Sequence, residues 1–93
     1  MTPLIDLVRD LASLDRDATI YAAEPWTCDS PAIVQLERAS DELPEEAMRH
    51  GLKYFLEVFV AKDFLDDWQS TFKTPPTAEA QCDRLIRYAA DDA

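Results

Sequence analysis

Gly51-Leu52-Lys53-Tyr54-Phe55-Leu56-Glu57-Val58-Phe59-Val60 decides the fold, because this stretch fits two periods at once. Leu52, Phe55, Leu56, Phe59 and Val60 recur at helical spacing, which would extend one long helix over 44–72. Two features oppose that helix. Gly51 is the single glycine of the chain, and a glycine just past a helix takes the left-handed conformation that ends it. Residues 54–60 are dominated by aromatic and β-branched side chains, with apolar groups on both faces as in a central strand. The segment therefore predicts a strand within 52–60, with the long helix as the alternative.

Upstream of Gly51, Pro44 can open a short helix whose Glu45 and Glu46 suit the positive end of the helix dipole. Residues 38–43 form a polar connection. Before it, Ala32-Ile33-Val34-Gln35-Leu36 alternates as a strand, and Thr19-Ile20-Tyr21 gives another that ends before Glu24-Pro25. Between these two strands, residues 25–31 read as a loop bounded by Pro25 and Pro31. At the N-terminus Thr2 can cap a helix over 3–14, with Pro3 first and Leu4, Leu7, Val8 and Leu11 on one stripe.

Downstream, 61–72 returns to a helical period, with Phe64, Leu65, Trp68 and Phe72 inward and Lys62, Asp63, Asp66 and Gln69 outward. Thr74-Pro75-Pro76-Thr77 breaks it. Thr77 then caps a final helix whose buried stripe is Cys82, Leu85, Ile86 and Ala89. The predicted order is α-β-β-α-β-α-α, a three-stranded sheet covered by helices in a single α+β domain spanning 1–93.

Nineteen acidic against nine basic residues give a formal charge of −10 in 93 residues. Such a surface repels nucleic acid and anionic lipid, and no segment gathers Lys and Arg without interleaved acids. The sign-matched partner is a basic protein, which an acidic surface would steer into encounter; solubility alone is the competing explanation. Cys28 and Cys82 stand in no metal-ligand or redox spacing and read as reduced thiols. The opening residues lack the basic and apolar regions of a secretory signal, and no apolar run reaches membrane-spanning length, so the expected compartment is the cytoplasm.

Catalytic and cofactor motifs are sparse. His50 is the only histidine and follows a short helix, where it can meet the last carbonyls. One glycine excludes phosphate-cradling and dinucleotide loops, and Cys28, His50 and Cys82 lack zinc spacing, so neither cofactor nor metal is expected. Asp63-Phe64-Leu65-Asp66-Asp67 carries the lettering of aspartate-rich magnesium sites, yet a domain this small lacks a cavity for their substrates; its acids read as a solvated helix face.

The candidate partner-binding residues are therefore of two kinds. Tyr21 and Trp26 flank Glu24 and Asp29, and aromatic anchors among acids suit a basic partner. The competing reading has Trp26 plugging the core edge and Asp29 bonding its own turn. Asp63, Asp66 and Asp67, with Asp41, Glu42, Glu45 and Glu46 nearby in charge pattern, offer further acidic surface.

This succession of a leucine-rich helix, Ala18-Thr19-Ile20-Tyr21, Trp26 with Asp29, and Gly51-Leu52 leading into Tyr54-Phe55-Leu56-Glu57-Val58 resembles small bacterial immunity-type domains. The likeness spans roughly residues 4–68. It implies a non-catalytic protein that neutralises a toxin by covering it, with Glu24, Trp26 and Asp29 as contacts by analogy. Two alternatives are a regulatory adaptor that homodimerises through apolar surface around Phe59, Phe64 or Trp68, and a nucleic-acid-mimicking anti-defence protein in which acids dominate the contact.

Overall fold

The structure, a computed structural model, describes residues 1–36 and 43–92. The predicted 38–43 connection and the acids Asp41 and Glu42 thus lie wholly or mostly outside the described residues. Four strands, β1 (Thr2–Pro3), β2 (Ala18–Ala22), β3 (Pro31–Leu36) and β4 (Lys53–Glu57), form one antiparallel sheet in the order β1-β3-β2-β4. Four α-helices accompany it among the described residues: α1 (Leu4–Arg9), α2 (Glu45–Arg49), α3 (Val58–Gln69) and α4 (Ala78–Asp92).

The expected α+β class holds, while the strand count rises from three to four. The extra strand is two residues long and pairs Thr2 with Ala32 and Pro3 with Pro31. Proline cannot donate to a ladder, so it is tolerated here because β1 is an edge. Thr2 consequently sits in the sheet instead of capping a helix. The first helix starts at Leu4 with no side-chain cap, and the carbonyls of Ser30 and Cys28 take the backbone N–H groups of Leu4 and Ile5, each at 2.9 Å. Orphan donors of the first turn are thus satisfied by the β2–β3 connection. The helix predicted over 3–14 ends at Arg9 and is followed by a separate 3-10 turn, Leu11–Ser13.

The deciding segment divides between its two periods. Tyr54 to Glu57 is strand, as expected, but Val58, Phe59 and Val60 form the first turn of α3, which runs three residues ahead of the predicted 61–72 helix at both ends. Val58, Ala61 and Leu65 are its buried side chains, a helical spacing that outweighs the β preference of two valines. Nor is β4 central. It lies at an edge, and its doubled apolar pair has another cause: Leu56 faces Ile20 and Tyr54 faces Tyr21, leaving Phe55 as the extra residue of a bulge. A bulge lets consecutive side chains turn to one side, so Phe55 and Leu56 both enter the core.

That core lies between one sheet face and three helices, joining Leu4, Val8, Ile20, Phe55, Leu65 and Leu85 among others. Each large apolar side chain buried there contributes roughly 2 kcal/mol. Helix α4 follows expectation closely, with Cys82, Leu85 and Ala89 buried, Ile86 partly so, and Thr77 Oγ1 accepting the Ala80 N–H at 3.1 Å. Phe72, predicted inward, falls beyond α3 and is exposed, its ring edge-on to Trp68. Lys62, predicted outward, is partly buried with Nζ donating to the Leu14 carbonyl at 2.9 Å.

Helix α2 is tied to the other sheet face through Gln35, which donates to Glu46 at 3.0 Å. Gly51 ends it as the sequence implied: φ is +68°, the Gly51 N–H bonds to Met48, and the Leu52 N–H returns to Ala47 at 2.8 Å. This paired return is the Schellman closure, sealed by burial of Ala47 and Leu52.

Candidate functional site

Strands β2 and β3 are joined by a turn over 23–30 that a buried serine organises. Ser30 Oγ accepts the Thr27 N–H at 2.8 Å and contacts the Pro25 carbonyl at 3.3 Å, and the Glu24–Pro25 peptide bond is cis. Glu24 and Asp29 are exposed on this turn. Asp29 uses its backbone N–H, not its carboxylate, to bond locally with Thr27 Oγ1 at 3.3 Å.

Trp26 points inward from the same turn. Its ring meets Phe55 edge-on at 5.0 Å between centroids, and its indole N–H donates to the Ala22 carbonyl at 3.2 Å. Tyr21 lies elsewhere. It pairs with Ile33 and Tyr54 across the sheet, on the face opposite Ile20 and Ala22. The two aromatics that flank the acids in sequence are therefore separated by the sheet, and Trp26 is committed to packing.

Another side chain group arrives from far along the chain. The Cys28 thiol donates to the carboxylate of Asp83, the residue after Cys82 on α4, at 3.1 Å, and the thiols of Cys28 and Cys82 influence one another. Burial, then the hydrogen bond to Asp83, raises the Cys28 thiol above its ordinary range, with Glu79 adding to the effect. Cys82 is pushed up further, first by complete burial and next by the Cys28 thiol, with Asp83 and Asp29 contributing. Asp29, Glu79 and Asp83 thus converge around the thiol pair. The chain spacing gave no hint of this convergence; the only usable signal was that Cys82 falls on the buried stripe of the last helix.

Asp63, Asp66 and Asp67 project from α3 and are exposed. No hydrogen bond or ion pair joins them to the turn among the described residues. Asp66 lies at the rim of an open groove of about 370 Å³ between α1, α3 and α4. There Gln81 is tied to Gln69 at 2.9 Å, Lys62 to Leu14 and Arg9 to Asp6, which leaves the Asp66 carboxylate as the exposed charge of the groove. His50 is exposed at the end of α2 beside Glu46 and Arg49. Among the described residues no three His, Cys, Asp or Glu side chains are grouped to hold a metal, and no helix is long and apolar enough to cross a membrane.

Two ion pairs occur among the described residues, Asp6–Arg9 at 3.0 Å and Glu45–Arg49 at 3.3 Å, both exposed and within single helices. None of Glu24, Asp29, Asp63, Asp66, Asp67, Glu79 or Asp83 is in either. Comparison with protein-family models, curated proteins and solved structures gives no match.

Proposed function

We propose that this chain is a non-catalytic binding protein that presents its carboxylates to a basic protein, as an inhibitor or immunity-type protein does. The observation behind this reading is that the exposed acids of the 23–30 turn and of α3 are not neutralised by internal cations among the described residues. Carboxylates left without a partner create an outward field that steers a cationic surface into encounter and selects against acidic ones. The acids around Cys28 enlarge the turn's surface beyond Glu24 and Asp29.

To test this, the immobilised protein is exposed to a lysate of its source and eluted with rising salt, and retained proteins are identified by mass spectrometry. One basic protein, lost when Glu24 and Asp29 or when Asp63, Asp66 and Asp67 are reversed to lysine, supports the proposal and locates the surface. Retention unchanged by both sets of reversals overturns it.

A self-associating adaptor is a second reading, and one observation favours it. Ile33, Tyr21 and Tyr54 stand in one row across three strands on the face opposite the main core, with Tyr54 49% exposed. Of the apolar surface first considered for this role, Phe64 stacks on Tyr88 at 4.3 Å and Trp68 meets Phe72, while Phe59 and Phe72 are exposed. Sedimentation over a range of concentrations separates the two readings, since only self-association makes the mass rise.

A further inference from the structure

We propose that Cys28 and Cys82 are a dithiol site that a small-molecule disulfide converts to an intramolecular disulfide, clamping the 23–30 turn to α4. These are the only two cysteines of the chain, and the fold brings the Cys28 sulfur to 3.1 Å from the carboxylate of Asp83, the residue after Cys82 on α4, with Cys28 packed against the core cluster that holds Cys82. Their approach does not depend on a covalent bond. The turn is held by the Cys28 carbonyl accepting from Ile5, by the Ser30 carbonyl accepting from Leu4, and by the buried Ser30 hydroxyl. On the other side, Cys82 is locked in the core stripe of α4.

The two thiols are unequal, which orders the steps. Cys28 is partly exposed and Cys82 fully buried. The Cys28 thiolate attacks one sulfur of glutathione disulfide, forming a mixed disulfide and expelling one glutathione thiolate, which takes up the proton that Cys28 released. Cys82, once deprotonated, attacks the Cys28 sulfur and expels the second glutathione. Two protein thiols and one glutathione disulfide become one protein disulfide and two glutathione thiols, so two electrons and two protons pass to the oxidant. Burial, then Asp83 and Glu79 on α4, hold Cys28 protonated against the opposing hydrogen bond from the Cys82 thiol, while Asp29 on the turn acts on Cys82, which makes the first step slow at neutral pH and faster in alkaline buffer.

The test incubates the reduced native protein with glutathione disulfide in mildly alkaline buffer, followed by intact mass and non-reducing peptide mapping. The expected product is a monomer lighter by two hydrogen atoms, with Cys28 and Cys82 peptides joined. Cys82→Ala should instead accumulate one glutathione on Cys28. A lasting glutathione adduct on the unsubstituted chain, disulfide-linked dimers, or two free thiols where the denatured chain oxidises would each overturn the proposal. The measurement on the unsubstituted chain decides the matter even if the alanine variant does not fold.

Discussion

The Trp26 ring stands edge-on to Phe55, with 87° between their planes, while its indole N–H is bonded to the Ala22 carbonyl. A loop residue and a bulge residue thus complete one another. Trp26→Ala should cost about 3 kcal/mol, the lower end of the range for aromatic truncation, because the ring is only partly buried. Urea denaturation measures it. The same loss means that weakened binding by this variant reports on folding as well as contact.

Charge reversals at the exposed acids test binding without that ambiguity. Lysine at Asp63, Asp66 and Asp67, or at Glu24 and Asp29, should change stability by no more than about 0.5 kcal/mol per site. Association of a basic partner should slow, and its salt dependence should flatten, in stopped-flow measurements.

Gly51 isolates a backbone effect. A methyl group placed there meets no atom within 4 Å, so the positive φ is the whole cost. Gly51→Ala should destabilise by about 1 kcal/mol and Gly51→Asn by less, since asparagine tolerates the left-handed region better. Thermal melts of the two variants provide the check.

Raised thiols make the reduced protein sensitive to alkali. The unfolded chain releases thiol protons from about pH 8.5 upward, whereas the native chain keeps them. The native state then binds more protons, and stability falls as pH rises through that window. Cys82→Ala should remove the larger part of this fall in urea midpoints measured across pH. Below the window the thiols of both states are protonated and contribute no slope.

Asp83→Asn removes the charged acceptor of the Cys28 thiol. Alkylation of Cys28 by iodoacetamide at fixed neutral pH should then accelerate, because the thiolate is less opposed. An unchanged rate would show that burial alone governs the reactivity of this thiol.

Much of the fold is written in local signals. Gly51, Thr77 and the stripe through Cys82, Leu85 and Ala89 specify their elements through backbone freedom, capping and period, all of which act within a few residues. What could not be read depends on distant contacts. Val58 and Val60 favour extended backbone, yet tertiary packing of Val58, Ala61 and Leu65 draws them into a helix. The pairing of Thr2 with Ala32 is too short to leave a pattern. For the candidate site, Glu24, Asp29 and the α3 acids were visible as charge, while the separation of Tyr21 from Trp26 required the sheet. The approach of Asp83 to Cys28 required the packing of α4 beneath the turn.

The bulge at Phe55 also governs how another molecule can approach. It sits on edge strand β4, breaking the even spacing of backbone donors and acceptors that an incoming strand would need, and exposed Lys53 lies at the start of the same edge. On the opposite side β1 covers only Pro31 and Ala32 of β3, where Pro3 removes one donor, and no strand lies outside residues 33–36 among the described residues. The β4 border is thus the one guarded against an added strand, so edge-to-edge association of this sheet is confined to the outer side of β3.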